Sequence, residues 1–135
     1  MCFEIAEAVR YMFEREGSDL ERLLTVRIDA RTGEVGSLLP RRGLRPLELL
    51  PNGQSPAAAF IGISRDAAEA IFLVSSEVSA VGGDGAARDD AGSCRLVALA
   101  PNQAETFLYR PDGRTYGVEL LRIGGVATAE RPVLQ

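Results

Sequence analysis

A chain of 135 residues and 14.5 kDa, 46% apolar and 25% charged, fits one globular domain that can bury a core without metal or disulfide staples. It has no histidine, tryptophan or lysine, so all 15 basic residues are arginine, and imidazole triads, histidine-ligated zinc and histidine-bound haem are excluded. A net charge of −4 with a pI near 4.9 speaks against broad, salt-driven nucleic-acid binding.

In chain order, Cys2 to Glu16 predicts an amphipathic helix, with Ile5, Ala8, Val9, Met12 and Phe13 at three- and four-residue spacings. Gly17 is placed to end it, and Ser18 with Glu21 matches a capping box that opens a short helical turn through Leu20, Leu23 and Leu24. The period then becomes two, with Val26 and Ile28 on one face of a strand. Asp29 to Gly33 reads as a loop, and Val35 to Leu39 as the returning strand. Pro40 to Pro46 reads as an irregular connection, Leu47 to Leu50 as a short apolar run, and Pro51 to Pro56 as a second loop. These two proline-bounded stretches form the one seam in the chain.

Ala58 to Ile63 and Ala70 to Val74 are short apolar runs that predict buried strands, although Asp66 to Val74 also suits a helix of about nine residues. Residues 82 to 92 are glycine-dense and polar, which predicts a long exposed loop. Cys94 to Leu99, Glu105 to Tyr109 and Arg114 to Ile123 then read as a three-strand meander with turns at Pro101-Asn102 and Asp112-Gly113. The architecture expected is α+β: a helical lead-in followed by a mostly antiparallel sheet that closes into a small sandwich or open barrel. Residues 1–50 supply the lead-in and a hairpin, 57–123 the β-domain, and 124–135 a frayed tail.

The chemistry-bearing residues each have an ordinary reading. Asp84, Asp89 and Asp90 in the glycine-dense stretch offer carboxylates to calcium, but their spacing is not that of an EF-hand loop, and a solvated loop explains them. Arg41, Arg42 and Arg45 form the one basic cluster, suited to an anionic partner or to plain surface charge. Cys94 is flanked by Arg88 and Arg95 but has no histidine to act as base. Cys2 and Cys94 can pair only if the fold brings the start to the middle. Phe107, Tyr109 and Tyr116 offer a binding platform or, more simply, cross-strand core packing. Carboxylate pairs such as Glu77 with Asp84 or Glu105 with Glu119 carry no geometry that ranks them as catalysts. No catalytic residue, cofactor or metal is therefore assigned, and no run approaches the roughly 18 apolar residues of a spanning helix. The start of the chain lacks an export-signal pattern.

The order of an apolar strand at 58–63, Ile71 to Val78, Gly83-Asp84-Gly85, Cys94, Leu96 to Leu99, Glu105 to Phe107 and Asp112-Gly113 leading to Tyr116, Val118, Leu120 and Ile123 resembles a known group. It is similar to small β-domains of bacterial proteins encoded with type IV pilus assembly components. Those domains carry a further cysteine where this chain has Ala86 and Ala87, and they follow a membrane anchor. The resemblance implies a non-enzymatic interaction domain with a protein partner in the cell envelope, contacting it through a strand edge or the 82–92 stretch. Ile5 to Ala8, Asp19 to Glu21 and Ile28 to Val35 also resemble the opening of the polymerase-contacting domain of a bacterial transcription elongation factor, which implies RNA polymerase as an alternative partner. A small metal-binding hydrolase is the third reading.

Overall fold

The computed structural model describes residues 4–91 and 94–124. Two short helices, α1 (Ile5–Glu14) and α2 (Leu20–Thr25), precede ten strands: β1 (Arg27–Glu34), β2 (Leu39–Leu44), β3 (Leu49–Leu50), β4 (Ala58–Ile63), β5 (Ala70–Val74), β6 (Val78–Gly83), β7 (Ala86–Ala91), β8 (Cys94–Leu99), β9 (Ala104–Tyr109) and β10 (Arg114–Gly124). One antiparallel sheet has the order β2-β1-β10-β9-β6 and the other β3-β4-β5-β8-β7. The fold is thus mostly antiparallel β, and the expected α+β balance gives way because the helical lead-in is only a minor part of it. Strands from both sides of the proline-bounded seam share each sheet, so 1–50 and 57–123 are interwoven.

Alternation along the strands explains why the sheets face each other. Ile28 and Ala30 on β1, Phe107 on β9 and Val118 and Leu120 on β10 meet Phe60, Phe72, Val74, Val97 and Leu99 of the second sheet in one core. Phe60 and Phe72 sit opposite each other across β4 and β5 with ring centroids 5.8 Å apart. Burying each large side chain of this kind contributes about 1.5–3 kcal/mol. The outer face of the second sheet is apolar too, through Ala59, Ile61, Ile71, Leu73 and Leu96, and α1 covers it with Ala8, Tyr11 and Met12. This double burial is why β4, β5 and β8 read as continuous apolar runs.

Several boundaries differ from the sequence expectation for identifiable reasons. Helix α1 is rotated so that Tyr11 faces inward, its hydroxyl donating to the buried Glu16 carboxylate at 2.8 Å, while Ile5 and Phe13 stay exposed. The cap of α2 is Asp19, whose carboxylate accepts the Arg22 N–H at 2.8 Å. Ser18 instead closes α1, its N–H bonding the Met12 carbonyl behind Gly17 at φ 70°. Asp19→Ala is expected to lower stability by about 1 kcal/mol in urea unfolding.

Strand β1 runs straight through 29–33, because Ala30 and Thr32 continue the inward alternation and the Thr32 hydroxyl donates to the Gly117 carbonyl at 2.8 Å. The turn falls at 35–36, and the stretch from Pro40 to Leu44 is strand β2 rather than an irregular link. Proline is tolerated there because β2 is the edge of its sheet. Residues 70–74 are strand, as the apolar run predicts. The 82–92 stretch is not a long loop: it holds the end of β6 and the whole of β7. Strand β8 lies in the other sheet from β9 and β10, so the three do not form a meander. The tail from 125 onward lies outside the described residues.

Candidate functional site

Tight corners between the sheets explain the glycine-dense stretch. Gly83 (φ 134°) ends β6, Asp84 exchanges two hydrogen bonds with Ala104, donating its N–H to the carbonyl at 2.8 Å and accepting the amide N–H on Oδ2 at 3.0 Å, and Gly85 donates its N–H to Glu105 Oε1 at 2.7 Å. The Asp84 carboxylate is therefore spent on holding a corner against the start of β9. The side chains of Asp89 and Asp90 lie outside the described residues. Glu105 is 4% exposed and lines a cavity of about 210 Å³ with Val81, Val97 and Gly85. Burial pushes its carboxyl pKa up against the opposing Gly85 N–H, and the nearby Asp84 charge pushes the same way as burial. By strand parity Glu105 points inward and Glu119 outward to Arg31 at 3.2 Å, while Glu77 pairs with Arg110 at 3.1 Å, so neither suggested carboxylate pair converges.

Tyr109 and Tyr116 are 8% and 7% exposed, so they are core residues and not an open platform. Their rings pack edge to face at 6.1 Å, and the Tyr116 hydroxyl donates to the Asp112 carboxylate. That bond holds Asp112 below the usual carboxylate range, while burial raises the Tyr109 phenol. Cys94 is buried beneath α1 and is disulfide-bonded, which removes it as a thiol nucleophile. Without reductant, Cys94 is expected to resist alkylation by iodoacetamide in the folded protein, as read by peptide mass spectrometry, and to react after reduction and unfolding.

The arginine cluster is only partly free. Glu48 binds Arg41 Nη2 through Oε1 at 3.0 Å and Arg45 Nε through Oε2 at 3.4 Å, and Arg41 Nη1 also donates to the Pro51 carbonyl at 2.8 Å. The Arg42 side chain is exposed and has no partner among the described residues. Arg27, nearby, spends Nη1 on the Leu24 and Val26 carbonyls at 2.9 and 2.8 Å and pairs with no carboxylate among the described residues.

Arg27 and Arg45 line a depression beside a recess that hydrophobic periodicity does not single out. Ile5 and Ala8 of α1, Leu49 of β3, Ala59 and Ile61 of β4, Leu73 of β5 and Leu47 line about 250 Å³, with apolar residues only and a mostly apolar surface. Leu47 also lines an adjoining depression with Leu23, Leu24, Arg27, Arg45, Pro46 and Glu48. Ile5, Leu24 and Leu47 remain 61%, 63% and 42% exposed. Leu47 is held at φ 77°, in the left-handed region that a leucine rarely adopts, with its N–H bonded to the Phe60 carbonyl. The apolar run 47–50 thus divides: Leu50 enters the core, and the backbone twist turns Leu47 out to the cleft.

The chain matches no family model, no curated protein and no solved structure.

Proposed function

We propose that the protein is a non-catalytic interaction domain, a component of a bacterial envelope assembly of the type IV pilus kind. The observation that carries this reading is the apolar recess around Leu47 and the depression beside it, where Ile5, Leu47 and Leu24 stay exposed while other isoleucines and leucines are buried. Contiguous exposed apolar surface is the usual mark of a protein-binding face. The disulfide at Cys94 is in keeping with an oxidising compartment such as the envelope. The carboxylates that sequence offered for chemistry support the same reading, because Asp84, Glu77 and Glu119 are each committed to a structural partner.

Photo-crosslinking in the native host tests it. A photoreactive amino acid replacing Leu24 is expected to yield a discrete adduct with an envelope protein, and one replacing Ser79 on β6 tests a second face. Turnover by the purified protein, or no adduct from either position, would overturn the reading.

A further inference from the structure

Resting on the reading of the protein as an interaction domain, we propose that the cleft around Leu47 receives an acidic peptide segment of a partner protein, one that carries aliphatic side chains between its carboxylates. The recess is concave and lined by apolar residues, and its 250 Å³ equals about eight waters at ~30 Å³ each, room for two or three aliphatic side chains. The adjoining depression carries two arginines, Arg27 and Arg45, against one carboxylate, Glu48, on a chain whose net charge is −4. Arg27 spends only Nη1, on two backbone carbonyls, and pairs with no carboxylate among the described residues, so an incoming carboxylate gains a charge-assisted hydrogen bond there without displacing an ion pair. Strand β3 beside the recess pairs with β4 alone and leaves the edge of its sheet open to an added extended segment.

Two other occupants fit less well. A second copy docking through the same face would bring two arginine borders together, since a two-fold interface repeats each patch on both sides. An anionic membrane suits basic surfaces with protruding apolar side chains, whereas this apolar surface includes a recess and belongs to an acidic chain.

The proposal is tested by fluorescence anisotropy with two labelled synthetic peptides that share alternating leucines, one with glutamates and one with lysines between them. The acidic peptide is expected to bind about tenfold or more tightly than the basic one, and to weaken when NaCl rises from about 50 to about 500 mM. Leu47→Gly suits a left-handed backbone position and removes the side chain shared by both depressions, so it is expected to keep the thermal midpoint while reducing affinity at least about fivefold. Arg45→Glu is expected to do the same, and Arg110→Ala, whose side chain pairs with Glu77 and lines neither depression, to do nothing. Equal affinity for the two peptides, no binding of the acidic one, or a loss only of self-association or of phosphatidylglycerol-vesicle binding in Leu47→Gly would overturn it. If the peptides fail while the probe at Ser79 captures a protein, the interaction-domain reading stands and this site assignment falls.

Discussion

Replacing Gly83 with alanine is expected to destabilise the protein by about 3 kcal/mol, through backbone strain and overpacking acting together. Its φ of 134° is one that a side chain rarely adopts, and an added Cβ would lie 2.5 Å from the Ala104 carbonyl oxygen and 2.9 Å from the Glu105 Cα. Both obstacles are backbone, which cannot step aside as a flexible side chain would. The same corner carries the Asp84 bonds to Ala104, so moving it loosens the passage of the chain from one sheet to the other. Urea unfolding at neutral pH measures this, with Gly53→Ala as control, since a Cβ there meets nothing within 4 Å. A loss below about 1 kcal/mol at Gly83 would contradict the corner as described.

Glu105 gives the second large effect and a pH signature. Glu105→Ala leaves the Gly85 N–H without its acceptor in a buried setting and enlarges the adjoining cavity, at an expected loss of about 2 kcal/mol. Glu105→Gln keeps an acceptor of the same shape and removes the buried charge, so at neutral pH it is expected to match or exceed the parent. The sign of the pH dependence follows from the raised pKa. The folded chain holds the Glu105 proton to a higher pH than the unfolded chain, whose carboxyl titrates near its ordinary 4.5. The contribution of Glu105 to stability is therefore full below about 4.5 and is lost as pH rises through the folded value. Urea midpoints of the parent and Glu105→Gln should converge in acid and separate toward neutrality, in favour of the glutamine variant. Curves that stay parallel would show that its surroundings do not raise the pKa of the carboxyl.

Where side chains are large and apolar, the strands were legible in the sequence. Ala58–Ile63, Ala70–Val74 and Cys94–Leu99 are buried on both faces, and β10 alternates Tyr116, Val118 and Leu120 inward. Elements built from small or polar residues were not legible by that signal. Ala30 and Thr32 continue β1 inward without looking like a strand core, and Pro40 and Gly43 disguise β2, which survives them as an edge. Around Gly82, Gly83 and Gly85, glycine density suggested a loop, whereas it serves a close approach of β6 and β7 to β9. Sheet membership was also hidden, because a short turn at 101–102 serves equally for a hairpin and for a step between facing sheets.

The site was half visible. Arg41, Arg42 and Arg45 stood out as the one basic cluster; of these Arg45 lines the depression beside the cleft and Arg41 pairs with its Glu48, while Arg42 lines neither pocket. The apolar floor of the cleft did not stand out, because Leu47 and Ile5 carry the same signature as core residues. Their exposure depends on a left-handed backbone at Leu47 and on the rotation of α1 that turns Tyr11 inward, neither of which hydrophobic periodicity encodes.

Methyl-resolved NMR during titration of the leucine–glutamate peptide tests most directly whether this cleft is the working surface. The account predicts saturable shifts of the Ile5, Leu24, Leu47 and Leu49 methyl groups, with Val81 and Val97, which line the Glu105 cavity and neither depression, unmoved. Shifts centred on Val81 and Val97, or none at Leu47, would contradict it.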